Sequence, residues 1–195
     1  MTERDMYVLS ERALAGVIDQ VRPEQWALRK PAWFATGGQG DATLRQIVNY
    51  HAYDAAWVPE VLAGKTAEGV GDVFEHIKTA ADVDYRAYSE KAIAAANALD
   101  DPERLVHLSY GDYAAREYFK HITSFRGFRT YDIARWIGAS TQMPTELVQA
   151  MWEHLVPDME AWRAMGVYGP AVAVPEDAPL QDRLLGLSGR DPQAR

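Results

Sequence analysis

Apolar residues recur along the chain in steps of three and four, the repeat of a helix that buries one stripe. Met6, Leu9, Ala13, Leu14, Val17 and Val21 define the first such stripe, which ends at Pro23. From Pro23 to Gly40 the composition changes to Pro, Gly and large aromatics (Trp26, Trp33, Phe34), which predicts an irregular connection. Asp41 is expected to cap a second helix whose inward positions are Leu44, Ile47, Val48, His51, Ala55, Val58 and Leu62. Pro59 is expected to bend its last turn and Gly64 to end it. A third helix is expected from about Asp72 to Asn97, stopped by Asp100, Asp101 and Pro102. Leu105 to Tyr110 alternates like one extended strand without an evident partner. Gly111 and Asp112 are expected to start a fourth helix, on which Ala114, Tyr118, His121, Phe125, Arg129 and Trp136 share one face up to Gly138. Pro144 opens a fifth helix that buries Leu147, Val148, Met151, Leu155, Met159 and Trp162 and ends near Gly166. The remainder reads as loop, with one helical turn at Leu180 to Leu187.

Long helices joined by short and medium loops predict an all-α fold, an up-and-down four-helix bundle with an additional helix and an extended C-terminal tail. Residues 1–166 are expected to form the bundle and residues 167–195 a tail packed on it. At 195 residues, 48% of them apolar, the chain can bury a sizeable core. A net charge of −8 argues against nucleic acid or an anionic membrane surface as partner. No stretch approaches the roughly 18 apolar residues of a membrane span, and Met1 to Arg12 are too charged for a secretory segment, so a cytoplasmic location is expected. Because the chain has no cysteine, any thiol chemistry requires a thiol from outside.

Chemistry is most readily sought in polar groups on apolar stripes. His51 lies on the stripe of the second helix, and His121 and Arg129 on that of the fourth, so the three could meet across the bundle. A buried guanidinium needs a carboxylate partner, here Asp54, Asp132 or a bound acid. Trp57, Tyr118, Tyr131 and Trp136 could line a pocket or simply fill the core. The Gly37-Gly38-Gln39-Gly40 cluster follows no predicted strand and lacks the Lys-Ser/Thr ending of a phosphate loop, and no serine-nucleophile motif is present.

Three stretches carry a family resemblance. Leu44–Trp57 (LRQIVNYHAYDAAW), followed by Leu62-Ala63-Gly64, resembles the helix that supplies the first histidine ligand in the DinB-like branch of mycothiol-dependent maleylpyruvate isomerases. Phe128–Gly138 (FRTYDIARWIG) resembles that branch's His-Gly-Trp-Asp-Leu-Ala-Arg-Ala-x-Gly motif. Tyr168–Pro192 (YGPAVAVPEDAPLQDRLLGLSGRDP) resembles the C-terminal signature of a little-characterised metal-binding subgroup. The resemblance implies a four-helix bundle holding a divalent metal, zinc or nickel, and working as a small-molecule isomerase or thiol transferase with a low-molecular-weight thiol such as mycothiol.

Carried over by position, His51 matches the first metal ligand. Arg129 stands where the family has a histidine and Phe125 where it has a second ligand one turn earlier. Phe125 has no lone pair to offer and Arg129 would repel a cation, so the family's usual metal site is not expected to form.

Three readings follow. In the first, Arg129 clamps a substrate carboxylate, with Tyr118, Asp54 and Trp57 around it and His51 or His121 as general acid or base. In the second, the bundle has lost its metal and serves as a binding or scaffolding module, able to form a homodimer through a helix face. In the third, His51 and His121 hold a metal in a displaced site.

Overall fold

The computed structural model describes residues 1–34 and 40–193, so the phosphate-loop reading of the Gly37 cluster lies outside the described residues. Helix α1 spans Glu3–Ile18 and starts at a reciprocal cap. The Thr2 hydroxyl accepts the Asp5 N–H (3.1 Å), and the Asp5 carboxylate accepts the Thr2 N–H (3.3 Å). Helix α2, Leu44–Leu62, is capped by Thr43, not by Asp41: Thr43 directly precedes the first inward residue, and Gln46 completes the same reciprocal pair. The Asp41 carbonyl instead accepts from Arg29 (2.7 Å).

The expected third helix is broken. Short helices α3 (Ala67–Val70) and α4 (Glu75–Lys78) precede α5, which runs only from Tyr85 to Ala98. Two local interactions favour the break over a continuous helix. Asp84 caps α5 by accepting the Ala87 N–H (3.0 Å), and the Asn49 side chain donates to the Ala80 carbonyl (2.8 Å), tying the gap to α2.

The strand expected to be alone has a partner. β1 (Leu105–Leu108) pairs antiparallel with β2 (Gly111–Ala114), in the register Leu105 to Ala114 and Leu108 to Gly111. Gly111 and Asp112 therefore belong to the hairpin, and helix α6 begins at Ala115 and runs to Ile137. Its first N–H groups are satisfied by carbonyls upstream of the hairpin, Ala115 to Arg104 and Arg116 to Pro102 (both 2.9 Å), which fixes the start without a side-chain cap. Gly138 ends α6 in the left-handed conformation (φ +71°).

The fifth helix is also divided. α7 (Thr145–Leu155) passes through a 3-10 turn at Val156–Asp158, where Pro157 has no N–H to continue the ladder, into α8 (Met159–Ala164). Leu147, Val148, Met151, Leu155 and Met159 nevertheless stay on the buried side. Near the C-terminus, α9 (Leu180–Leu187) makes two turns where one was expected, and it buries Leu184 and Leu185 against α7.

The protein is thus mostly helical, with a single two-stranded hairpin among the described residues. Helix α1 packs along α6 and α5, α2 packs along α5, and α7 covers α1 and α6. No described helix is long and apolar enough to cross a membrane. The hairpin leans on both α2 and α6.

Candidate functional site

Where α2, α6 and the hairpin meet, a cavity of about 310 Å³ opens. It is lined by Asp54 and Trp57 from α2, Tyr118, Phe125 and Arg126 from α6, and Tyr110 from the hairpin turn. Beneath it lies a buried polar network drawn from four helices. Glu11, fully buried on α1, accepts from Arg126 Nε (2.6 Å), the Tyr85 hydroxyl (2.7 Å) and the Tyr7 hydroxyl (3.2 Å). Arg126, 1% exposed, also donates from Nη1 to His51 Nδ1 (3.1 Å) and stands 3.7 Å from the Asp54 carboxylate. A buried charge survives only when paired and hydrogen-bonded, and Glu11 and Arg126 meet that condition for each other.

Arginine only donates, so the bond to His51 requires a bare Nδ1 and leaves the proton on Nε2. Burial holds the His51 pKa well below its usual range, and the neighbouring guanidiniums of Arg126 and Arg129 push it further down. Asp54 is displaced the other way. Its side chain is 43% accessible, but that access is through the cavity, and the protein crowded around the carboxyl raises its pKa against the opposing pull of Arg126. Burial likewise keeps the Tyr118 hydroxyl protonated far above its ordinary value.

Two donors in this region lack a protein partner. Trp57 Nε1 and Arg126 Nη2 are buried and make no hydrogen bond among the described residues, and both side chains line the cavity. An orphaned buried donor costs about 1–3 kcal/mol, part of which an acceptor would recover if a shift of the cavity wall let it reach either N–H.

The sequence-predicted residues separate into three places. Asp54, Trp57 and Tyr118 do line one cavity, and His51 lies beside it through Arg126. Arg129 does not line it. Its Nη1 donates to Asp132 (3.1 Å), its guanidinium packs over the Phe34 ring (4.4 Å), and Asp132 is gripped from its other side by Arg190 Nε and Nη2 (both 2.8 Å). Of the carboxyl partners considered for Arg129, Asp132 is in contact with it. Burial pulls the Arg129 pKa down to about 10 despite Asp132.

His121 lies elsewhere, half-buried among Tyr110, Tyr113 and Trp162, with Nδ1 3.3 Å from the Tyr110 hydroxyl. His51 and His121 share no hydrogen-bond partner or ring contact. Tyr131 belongs to the core cluster around α7, and Trp136 packs edge-on against Phe34.

The residues do not fit the metal that the resemblance implies. Phe125 is 53% exposed, Arg129 is committed to Asp132, and His51 spends one nitrogen on a guanidinium that would repel a divalent cation beside it. No group of three His, Asp or Glu side chains suited to a metal occurs among the described residues.

Arg126, Glu11, Tyr7 and Tyr85 were missed in the sequence, although a signal existed for two of them. Tyr7, Glu11, Leu14 and Ile18 form a helical stripe with an acid in it, and Phe119, Arg126, Thr130, Ile133 and Ile137 form another with a base. The first is complementary to the second. Comparison with family models, curated proteins and solved structures gave no significant match to this chain.

Proposed function

We propose that this chain is a DinB-like small-molecule-binding protein, related to the mycothiol-dependent maleylpyruvate isomerases, in which the fixed Glu11–Arg126 pair stands in for the metal. The carrying observation is that two buried, unpartnered N–H groups, on Trp57 and Arg126, belong to residues lining one cavity with Asp54. That combination suits a ligand with a carbonyl-type oxygen. Donors close to where negative charge develops, beside a carboxylate in a half-desolvated site, are the elements of proton-transfer isomerisation.

In such a step the Asp54 carboxylate takes a proton from the carbon next to the carbonyl. The C–H electron pair forms the carbon–carbon double bond of an enolate as the carbonyl π pair moves onto the oxygen, held by Trp57 and Arg126. Protonated Asp54 returns the proton to the same carbon or, in a substrate with a conjugated double bond, to the far end of that system. A raised pKa makes Asp54 a stronger base than an ordinary carboxylate, which favours the first half of the exchange. Tyr118 remains a neutral donor. The proposed partner is therefore a small oxo compound rather than nucleic acid or a membrane.

The test is deuterium incorporation from D2O into 2-oxo acids, maleylpyruvate first, followed by proton NMR. Exchange should vanish in Asp54→Asn and slow about 100-fold in Trp57→Phe, which removes one donor and keeps the ring. The second reading, a scaffold without catalysis, is favoured by the complete internal pairing of Asp132 with Arg129 and Arg190. Absence of both exchange and binding would select it.

A further inference from the structure

The cavity beside Arg126 has a neighbour of different character. Across α6 a second cavity of about 390 Å³ is walled by Tyr113, His121, Ser124, Trp162, Met165 and Val167, with little polar surface. Tyr110 and Phe125 line both cavities, so the two adjoin along these side chains. The same side chains are unusually open for their type: Tyr110 is 59% exposed, Phe125 53%, Met165 69% and Val167 45%. Large apolar groups gathered around one concavity mark a binding surface rather than scattered surface noise.

We propose that the two cavities form one composite site for an amphiphilic small molecule, its carbonyl head beside Trp57, Asp54 and Arg126 and its apolar tail along the wall made by Tyr113, His121 and Trp162. This rests on the head-group reading above and adds the substrate class to it. The occupant is argued from continuity. A chamber whose apolar walls carry Asp54 and Arg126 and a chamber without a charged wall share Tyr110 and Phe125, and one molecule with a polar head and an apolar tail satisfies both. The tail chamber offers flat aromatic faces, with the Tyr113 and His121 rings perpendicular at 4.8 Å and His121 edge-on to Trp162 at 5.7 Å, which suits an aryl or medium alkyl chain.

The test uses primary carboxamides from acetamide to octanamide, together with 3-phenylpropanamide, titrated against the full chain by calorimetry. Affinity should rise about fourfold per methylene once the tail reaches the second chamber. Val167→Trp and Met165→Trp replace exposed side chains and should fill that chamber without disturbing the fold. Each should abolish the chain-length dependence while leaving acetamide binding as it was. Trp57→Phe should weaken every member by a similar factor.

Amides that bind in a Trp57-dependent way with affinity flat across the series would overturn the composite site and leave the head-group reading standing. A chain-length dependence in a series whose members Trp57→Phe does not weaken at all would detach the tail chamber from the head site and overturn both the joint occupancy and the head reading. A dimer in sedimentation that Val167→Trp dissociates, with no chain-length dependence, would assign this face to a second copy and sink the proposal.

Discussion

Replacing Arg126 by methionine keeps the length and much of the volume of the side chain but removes the only cation in contact with Glu11 among the described residues. The carboxylate would keep the Tyr85 and Tyr7 hydroxyls at 2.7 and 3.2 Å, yet it would lose its charged partner at 2.6 Å in a place with no access to water. His51 Nδ1 would lose its donor as well. Removing one partner of a buried pair costs about 3–5 kcal/mol, because the other charge is left uncompensated. For a chain of this size that corresponds to a fall in Tm of roughly 6–20 °C.

Replacing both members by apolar residues should cost less than the sum, since a hydrophobic pair of similar volume is often neutral against a buried ion pair. The Glu11→Leu, Arg126→Met double variant is therefore expected to regain at least half of the loss in urea unfolding followed by circular dichroism. A single variant that unfolds within about 1 kcal/mol of the parent would refute this reasoning, as would a double variant as unstable as the sum of the singles.

Asp132→Ala should be comparably damaging, by about 3–5 kcal/mol, because it removes the buried carboxylate that Arg129 and Arg190 share. Faster limited proteolysis of the C-terminal segment would report the release of Arg190. Gly186→Ala should cost about 1–3 kcal/mol in thermal melting, since an added Cβ would lie 2.7 Å from the Val172 backbone oxygen, which cannot rotate away. His51 gives a pH signature. Its pKa is lowered on folding, so the unfolded chain binds the extra proton and stability falls as pH drops through the ordinary imidazole value of 6.5. His51→Gln should flatten the stability profile between about pH 5 and 6.5 relative to the parent, and an unchanged slope in urea midpoints would contradict the buried neutral assignment.

The helical character and most core positions were readable because long stripes bury large apolar side chains, and their period alone locates them. Leu147, Val148, Met151, Leu155 and Met159 kept their buried face even through the interruption at Pro157. What the period could not convey was competition from single hydrogen bonds. Asp84 and Asn49 divide what reads as one helix from Asp72 to Asn97, and the apolar spacing there is loose enough to permit it.

The hairpin was half legible. Leu105 to Tyr110 alternates, but the four residues of β2 are too few to separate from the first turn of a helix. On α6 the expected face, through His121, Phe125 and Arg129, was rotated by about one residue from the one that is buried, through Phe119, Arg126 and Ile133. That small rotation moved the site's arginine from Arg129 to Arg126. Asp54 enters the sequence reading as a carboxylate for Arg129, and Trp57 and Tyr118 as aromatic candidates for a pocket; all three line the cavity beside Arg126.

The most direct measurement is elemental analysis of the chain purified without chelator or histidine tag, alongside His51→Ala. A guanidinium fixed between Glu11 and His51 leaves no room for a second cation in charge terms, so neither protein should carry stoichiometric zinc or nickel, and added metal should leave binding to the Trp57 cavity unchanged. Near-stoichiometric metal in the parent that is lost in His51→Ala would contradict the account and restore a metal centre at His51.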